Sequence, residues 1–184
     1  MSNSEDVILW KIPLKSKIHV VEFEHGERTG VRVLRVDGNE LFRTGQYKMT
    51  GKASFQVDTL QCRVMVKAAN PTLLIYALKV DGKLLKDYKK EHHRQWQSWD
   101  CNIDGVKWKI DLDKSTMEIR ANGIIVPTTG EFLDDETVTS FTVGVKATPC
   151  KIVAIGSGNI EIGIIHKLYV NNVRVPINRD YFDD

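Results

Sequence analysis

Cysteine is scarce in this chain. Cys62, Cys101 and Cys150 stand far apart and form no CxxC pair. An odd, sparse set argues against a disulfide framework and against zinc-ligand spacing, and it fits a reducing compartment. Long apolar runs are also missing; none approaches the ~18 consecutive apolar residues of a membrane helix. The opening stretch "MSNSEDVILWKI" is acidic and lacks an apolar h-region, so it does not read as a secretory signal. A charge excess is missing as well. Against 26 basic residues stand 24 acidic ones, a net +2 with pI near 8.4, which gives no strong argument for nucleic acid or a membrane surface. The expected location is cytoplasmic.

Catalytic signatures are equally thin. No GxSxG elbow and no HExxH motif is present. "GSGNIEIG" imitates a phosphate loop, but Glu161 stands where the third glycine belongs and a strand follows instead of a helix. It reads as a hairpin turn over Gly156–Gly158. "GEFLDDETVTSF" gathers Glu131, Asp134, Asp135 and Glu136, yet lacks the alternating ligands and central glycine of a calcium loop, and reads as a solvated loop. His92 and His93 are adjacent and would face opposite ways on an extended strand. The reading is therefore no catalytic residues, no metal and no cofactor.

What the chain does have is strand and turn. Asp37-Gly38, Asp81-Gly82, Asp104-Gly105, Asn122-Gly123 and Asn171-Asn172 look like hairpin tips between alternating runs. Alternation aligns Cys62, Val64 and Val66; Trp108, Ile110 and Leu112; Cys150, Ile152 and Ala154; and Ile164, His166, Leu168 and Val170. Cys62 and Cys150 thus read as inert core thiols, Cys101 as more accessible, and His166 as a core ring. Hydrophobic residues make up 42%, enough for a packed core. No convincing amphipathic helix is expected. "KLLKDYKKEHHRQW" reads as a strand running into a linker.

The chain also repeats itself. "YALKVDGKLL" matches "HKLYVNNVRV" 90 positions later, with Tyr76 opposite His166. "FQVDTLQCRVMV" matches "FTVGVKATPCKIV", and "VLRVDG" matches "MEIRANG". Three matches in one order point to tandem duplication. The expected fold is all-β: two tandem antiparallel β-sandwich units, 1–90 and 97–184, joined by a linker at about 91–96.

Five motifs in this order resemble the Fas apoptosis inhibitory molecule family: "EFEHG" (Glu22–Gly26), "VDG" (Val36–Gly38), "GKASF" (Gly51–Phe55), "GEFLDD" (Gly130–Asp135) and "GIIHKLYVNN" (Gly163–Asn172). The likeness runs from about Val7 to Pro176. It implies a cytosolic, non-enzymatic β protein without cofactor that opposes receptor-triggered apoptosis and protects against stress-induced aggregation. The chain departs from the short animal form in its acidic-aromatic segment "NRDYFDD" and in the wording of its first residues.

The expected partners are other proteins, either survival-signalling components or misfolded clients, with a second copy of the chain as a further candidate. The charged and aromatic flanks supply the interaction candidates: Lys86, Lys89, Lys90, Trp96, Trp99, Glu131, Asp134 and Asp135. "KKEHHRQWQSW" is a basic-aromatic pattern that suits nucleic acid, and equally suits two tryptophans packing on the second half. A small-ligand or nucleic-acid binding β-module is the alternative reading.

Overall fold

The computed structural model describes residues 6–15, 17–26, 28–45 and 50–177. The first residues and the "NRDYFDD" segment lie outside them. Among the described residues the chain forms seventeen strands and one helix, and it divides into two compact units, one ending at His92 and the other beginning at His93.

Unit 1 opens with β1 (Asp6–Leu14), β2 (Lys17–His25), β3 (Arg32–Val36) and β4 (Asn39–Thr44), an antiparallel meander in the order β1-β2-β3-β4. A second meander follows: β5 (Gly51–Val57), β6 (Leu60–Asn70), β7 (Leu73–Val80) and β8 (Lys83–Leu84). The period-2 pattern of each strand puts one apolar row on the inner face. Ile12, Val21, Phe23 and Leu34 of the first sheet thereby meet Cys62, Val64, Val66, Leu78 and Val80 of the second in one buried cluster. Two sheets burying one core face to face make a β-sandwich.

Unit 2 has the same plan. Strands β9 (Trp96–Ile103), β10 (Val106–Asp113), β11 (Ile119–Ala121) and β12 (Ile124–Ile125) form one sheet. Strands β13 (Thr129–Leu133), β14 (Glu136–Val143), β15 (Thr148–Gly156), β16 (Ile164–Val170) and β17 (Val173–Val175) form the other. Trp99, Ile110, Leu112 and Ile119 pack against Phe141, Val143, Cys150, Ile152 and Leu168.

All five expected tips are turns in which both central residues have positive φ, from 47° at Asp81 to 82° at Gly123. That is the type I′ geometry whose twist suits a hairpin, and Asp, Asn and Gly tolerate it. The pairings also recur between units. Cys62 lies between Phe55 and Val80; Cys150 lies between Phe141 and Val170. Each thiol contacts the carbonyl oxygen two residues back, Leu60 at 3.9 Å and Thr148 at 3.6 Å.

Segment 83–96 differs from the expected strand and linker. After two residues of β8 it becomes helix α1 (Leu85–Gln95), and Trp96 already belongs to β9. Helical spacing explains it: Leu85 is buried, and one turn on the Tyr88 hydroxyl donates to the Pro13 carbonyl oxygen at 2.8 Å. Glu91 on α1 is clipped back to Lys83, and no Gly or Pro interrupts residues 85–95. The connection after Gly156 is also longer than the expected turn, spanning 157–163 before β16 begins; it is closed by the Ser157 N–H donating to the Gly163 carbonyl at 2.9 Å.

Candidate protein-interaction surfaces

His19 Nδ1 lies 2.8 Å from Asp37 Oδ2, the spacing of a base and its orienting carboxylate. Asp37, however, is the tip residue of the β3–β4 hairpin, and its carboxylate also accepts from the Val20 N–H and from Lys17 Nζ, both at 3.0 Å. Burial opposes its ionisation, but these hydrogen bonds outweigh that and hold the carboxyl down at about 2. The set is a turn clasp. His25 Nδ1 meets the Tyr76 hydroxyl at 2.9 Å, with Phe23 beside both rings. Among the described residues no three of His, Cys, Asp and Glu gather closely enough to hold a metal ion.

His166 sits on the core face of β16 opposite Ala154 and is buried. Burial, and then nearby Lys114, lowers its pKa; the same two causes lower that of His93. Lys114 Nζ donates to the His93 carbonyl at 3.1 Å, so these three groups share one end of unit 2. Asp111 alternates away from Ile110 and Leu112, yet it is fully buried. Ser98 Oγ donates to its Oδ1, while its Oδ2 has no partner among the described residues, and burial raises its pKa. Burial likewise lifts Cys62 and Cys150 to about 11.

The sequence candidates fall into three places. Lys86, Lys89 and Lys90 lie on α1, where the first two border a groove of about 670 Å³ in unit 1. Its apolar lining includes Leu9, Trp10, Leu84 and Leu85, and Lys11 adds a third cation. Trp99 is 0% exposed in the unit 2 core, which removes it as a docking residue. Trp96, its neighbour on β9, is half-buried with the Arg120 guanidinium 5.8 Å over its ring. Both tryptophans are strand residues of β9, and Trp99 packs in the second unit.

Glu131 belongs to β13, while Asp134 and Asp135 make its turn into β14. The expected solvated loop is instead a hairpin: Thr129–Leu133 pairs with Glu136–Ser140, and only Asp134 and Asp135 lie outside the strands. β13 pairs on one side only, and all five of its residues are exposed. Phe132 at 89% is its most conspicuous member. Sequence reasoning quoted Phe132 within "GEFLDD" without singling it out, and it missed Leu9, Trp10 and Lys11. The signal for the latter was the outward row Val7, Leu9, Lys11 of β1, where two of three side chains are apolar and exposed. A second groove, of about 420 Å³ in unit 2, is lined by Thr129, Ser140, Thr142, Lys151 and Tyr169 among others.

A family model described as Fas apoptotic inhibitory molecule matches residues 6–178. The rat and mouse proteins named Fas apoptotic inhibitory molecule 1 are each 37% identical over 173 residues, covering 92% of this chain and 85% and 96% of theirs. The human protein of that name is 36% identical, with 92% and 96% covered. The name is not that of an enzyme. No described helix is long and apolar enough to cross a membrane.

Proposed function

Because the chain belongs to the Fas apoptotic inhibitory molecule family, we propose that it is a non-catalytic interaction protein that opposes death-receptor apoptosis in the cytoplasm and holds misfolded chains soluble under stress. The observation that carries the second half is β13, a fully exposed edge strand. Its outward N–H and C=O groups offer an extended client a ladder, with little demand on the client's sequence. Glu131, Asp134 and Asp135 keep the loaded edge charged and soluble.

The test is light scattering of an aggregating client without ATP. Equimolar protein should suppress the rise. Gly130→Pro and Glu131→Pro are informative together. Successive N–H groups of an edge strand point to alternate sides, so one of the two removes only an outward donor. That variant should keep its melting temperature and lose suppression. Failure of wild-type suppression, together with failure to protect cells from death-receptor killing, would leave the hydroxyl-lined groove of unit 2 and a small ligand as the better reading. The recurring Phe–Cys–Val pairings support an origin of the two units by duplication.

A further inference from the structure

Two surfaces of the molecule complement each other. The unit 1 groove has Leu9, Trp10 and Leu84 in its apolar lining, with Lys11, Lys86 and Lys89 as cations; no carboxylate is among its described lining residues. In unit 2, β13 and its turn carry the opposite pattern, with Phe132 and Leu133 set among Glu131, Asp134 and Asp135, all exposed. Phe132 shares a cross-strand row with Thr137, Ala154 and His166. It therefore leaves β13 on the face that buries His166, yet 89% of it remains exposed. An aromatic ring in that position is an anchor without a pocket.

We propose that β13 and its acidic turn on one copy of the chain seat in the basic apolar groove on unit 1 of a second copy, with Phe132 as the anchor. Lysines facing carboxylates set the orientation and make association salt-sensitive. The two surfaces differ, so the contact is heterologous: a copy that gives its strand keeps an open groove, and assembly continues until a ring closes. One anchored strand in a groove of about 670 Å³ is a small interface, so the assembly depends on concentration. The proposal stands without client binding. It adds that clients and second copies compete for β13.

Sedimentation velocity of the full chain over a range of concentrations tests it. The weight-average mass should climb with concentration and fall back with salt. Phe132→Asp and Leu9→Asp alter exposed positions, so both should fold and each should weaken association roughly tenfold or more. Lys86→Glu and Asp134→Lys should each weaken it too, whereas the double variant carrying both substitutions in one chain should associate again through the reversed pair. Such rescue would not follow from a folding defect. A mass that stays monomeric at every concentration would overturn the proposal, as would association indifferent to Phe132→Asp and Leu9→Asp. Binding of a synthetic peptide of residues 129–136 to a wild-type chain that stays monomeric would also overturn it, assigning the groove to an acidic segment of another protein.

Discussion

The backbone N–H of Asp81 donates to the Gln61 carbonyl at 2.8 Å, while the N–H of Gln61 donates to Asp81 Oδ1 at 2.9 Å. A hairpin tip thus grips the neighbouring strand through both backbone and side chain. Asp37 grips Val20 in the same way, and Asn122 grips Lys109. Asn171 makes only the backbone half, to Pro149, because proline has no N–H to return. The full device therefore appears in three of the four sheets, with its backbone half in the fourth, and locks register where a slip would turn the core row outward.

Asp81→Ala should accordingly cost about 2 kcal/mol. Roughly 1 kcal/mol is the lost hydrogen bond and roughly 1 is the positive φ that alanine tolerates poorly. Asp81→Asn should cost much less, since Asn122 fills the same role in unit 2. Urea unfolding of the two variants checks the difference; equal stabilities would mean the grip contributes nothing.

Asp37 adds a pH dependence. Its carboxyl sits at about 2 when folded against an ordinary 3.8, so the unfolded chain binds the proton more readily. The stabilisation is present above about pH 4 and is lost as pH falls towards 2, at about 1 kcal/mol once solvent screening at this exposed tip is allowed for. Asp37→Asn should flatten the acid limb of the stability curve, as read by chemical unfolding at a series of pH values.

The thiols should separate by burial. Cys101 is half-buried, whereas Cys62 and Cys150 are buried with pKa values near 11. In native protein at neutral pH a thiol reagent should label Cys101 first. Cys62 and Cys150 should react only as fast as the fold opens. Mass spectrometry of partly labelled protein reads the order, and early labelling at Cys62 would contradict the β6 register.

His166 occupies the register position that Tyr76 occupies in unit 1: Tyr76 pairs with Val66, and His166 with Ala154, 88 residues on. His166→Tyr should therefore fold with little loss, and His166→Asp should cost several kcal/mol through an unpaired buried charge. With its pKa lowered by burial and then by Lys114, the folded ring binds a proton less readily than the unfolded one. Stability should decline as pH drops below about 6.5, and less so in His166→Tyr. The residual slope in that variant reports His93, lowered by the same causes.

The sheets were legible because their chemistry is local. A tip such as Asn171-Asn172 announces its turn, and alternation places Cys62, Cys150 and His166 without knowledge of partners. Helix α1 was not legible, because its inner row is short, the buried Leu85 and the half-buried Tyr88, and is surrounded by charge in Lys86, Asp87, Lys89 and Lys90. Its Tyr88 hydroxyl finds its acceptor at Pro13, 75 residues away. The candidate surfaces were half legible for the same reason. Charge marked Lys86 and Asp134, but exposure decided between Trp99 and Phe132, and exposure follows from which strand lies at an edge.

Asp111 offers the most direct probe of a buried charge. Ile110 and Leu112 fix the strand register, so the intervening carboxyl must leave the other face, and there it is fully buried against Ser98. Burial raises its pKa, so the folded state holds the proton more tightly than the unfolded state. The sign is opposite to that of Asp37: stability falls as pH rises from about 3.9 towards the folded value. At neutral pH an ionised Asp111 is thus a net cost. Asp111→Asn keeps an oxygen for the Ser98 hydroxyl and removes the charge. It should stabilise the protein by about 1 kcal/mol at pH 7, with no gain near pH 3, where the native side chain is already neutral. Thermal unfolding of the pair at both pH values decides it; a variant destabilised at pH 7 but not near pH 3 would show that the carboxylate itself is what the site is built to hold.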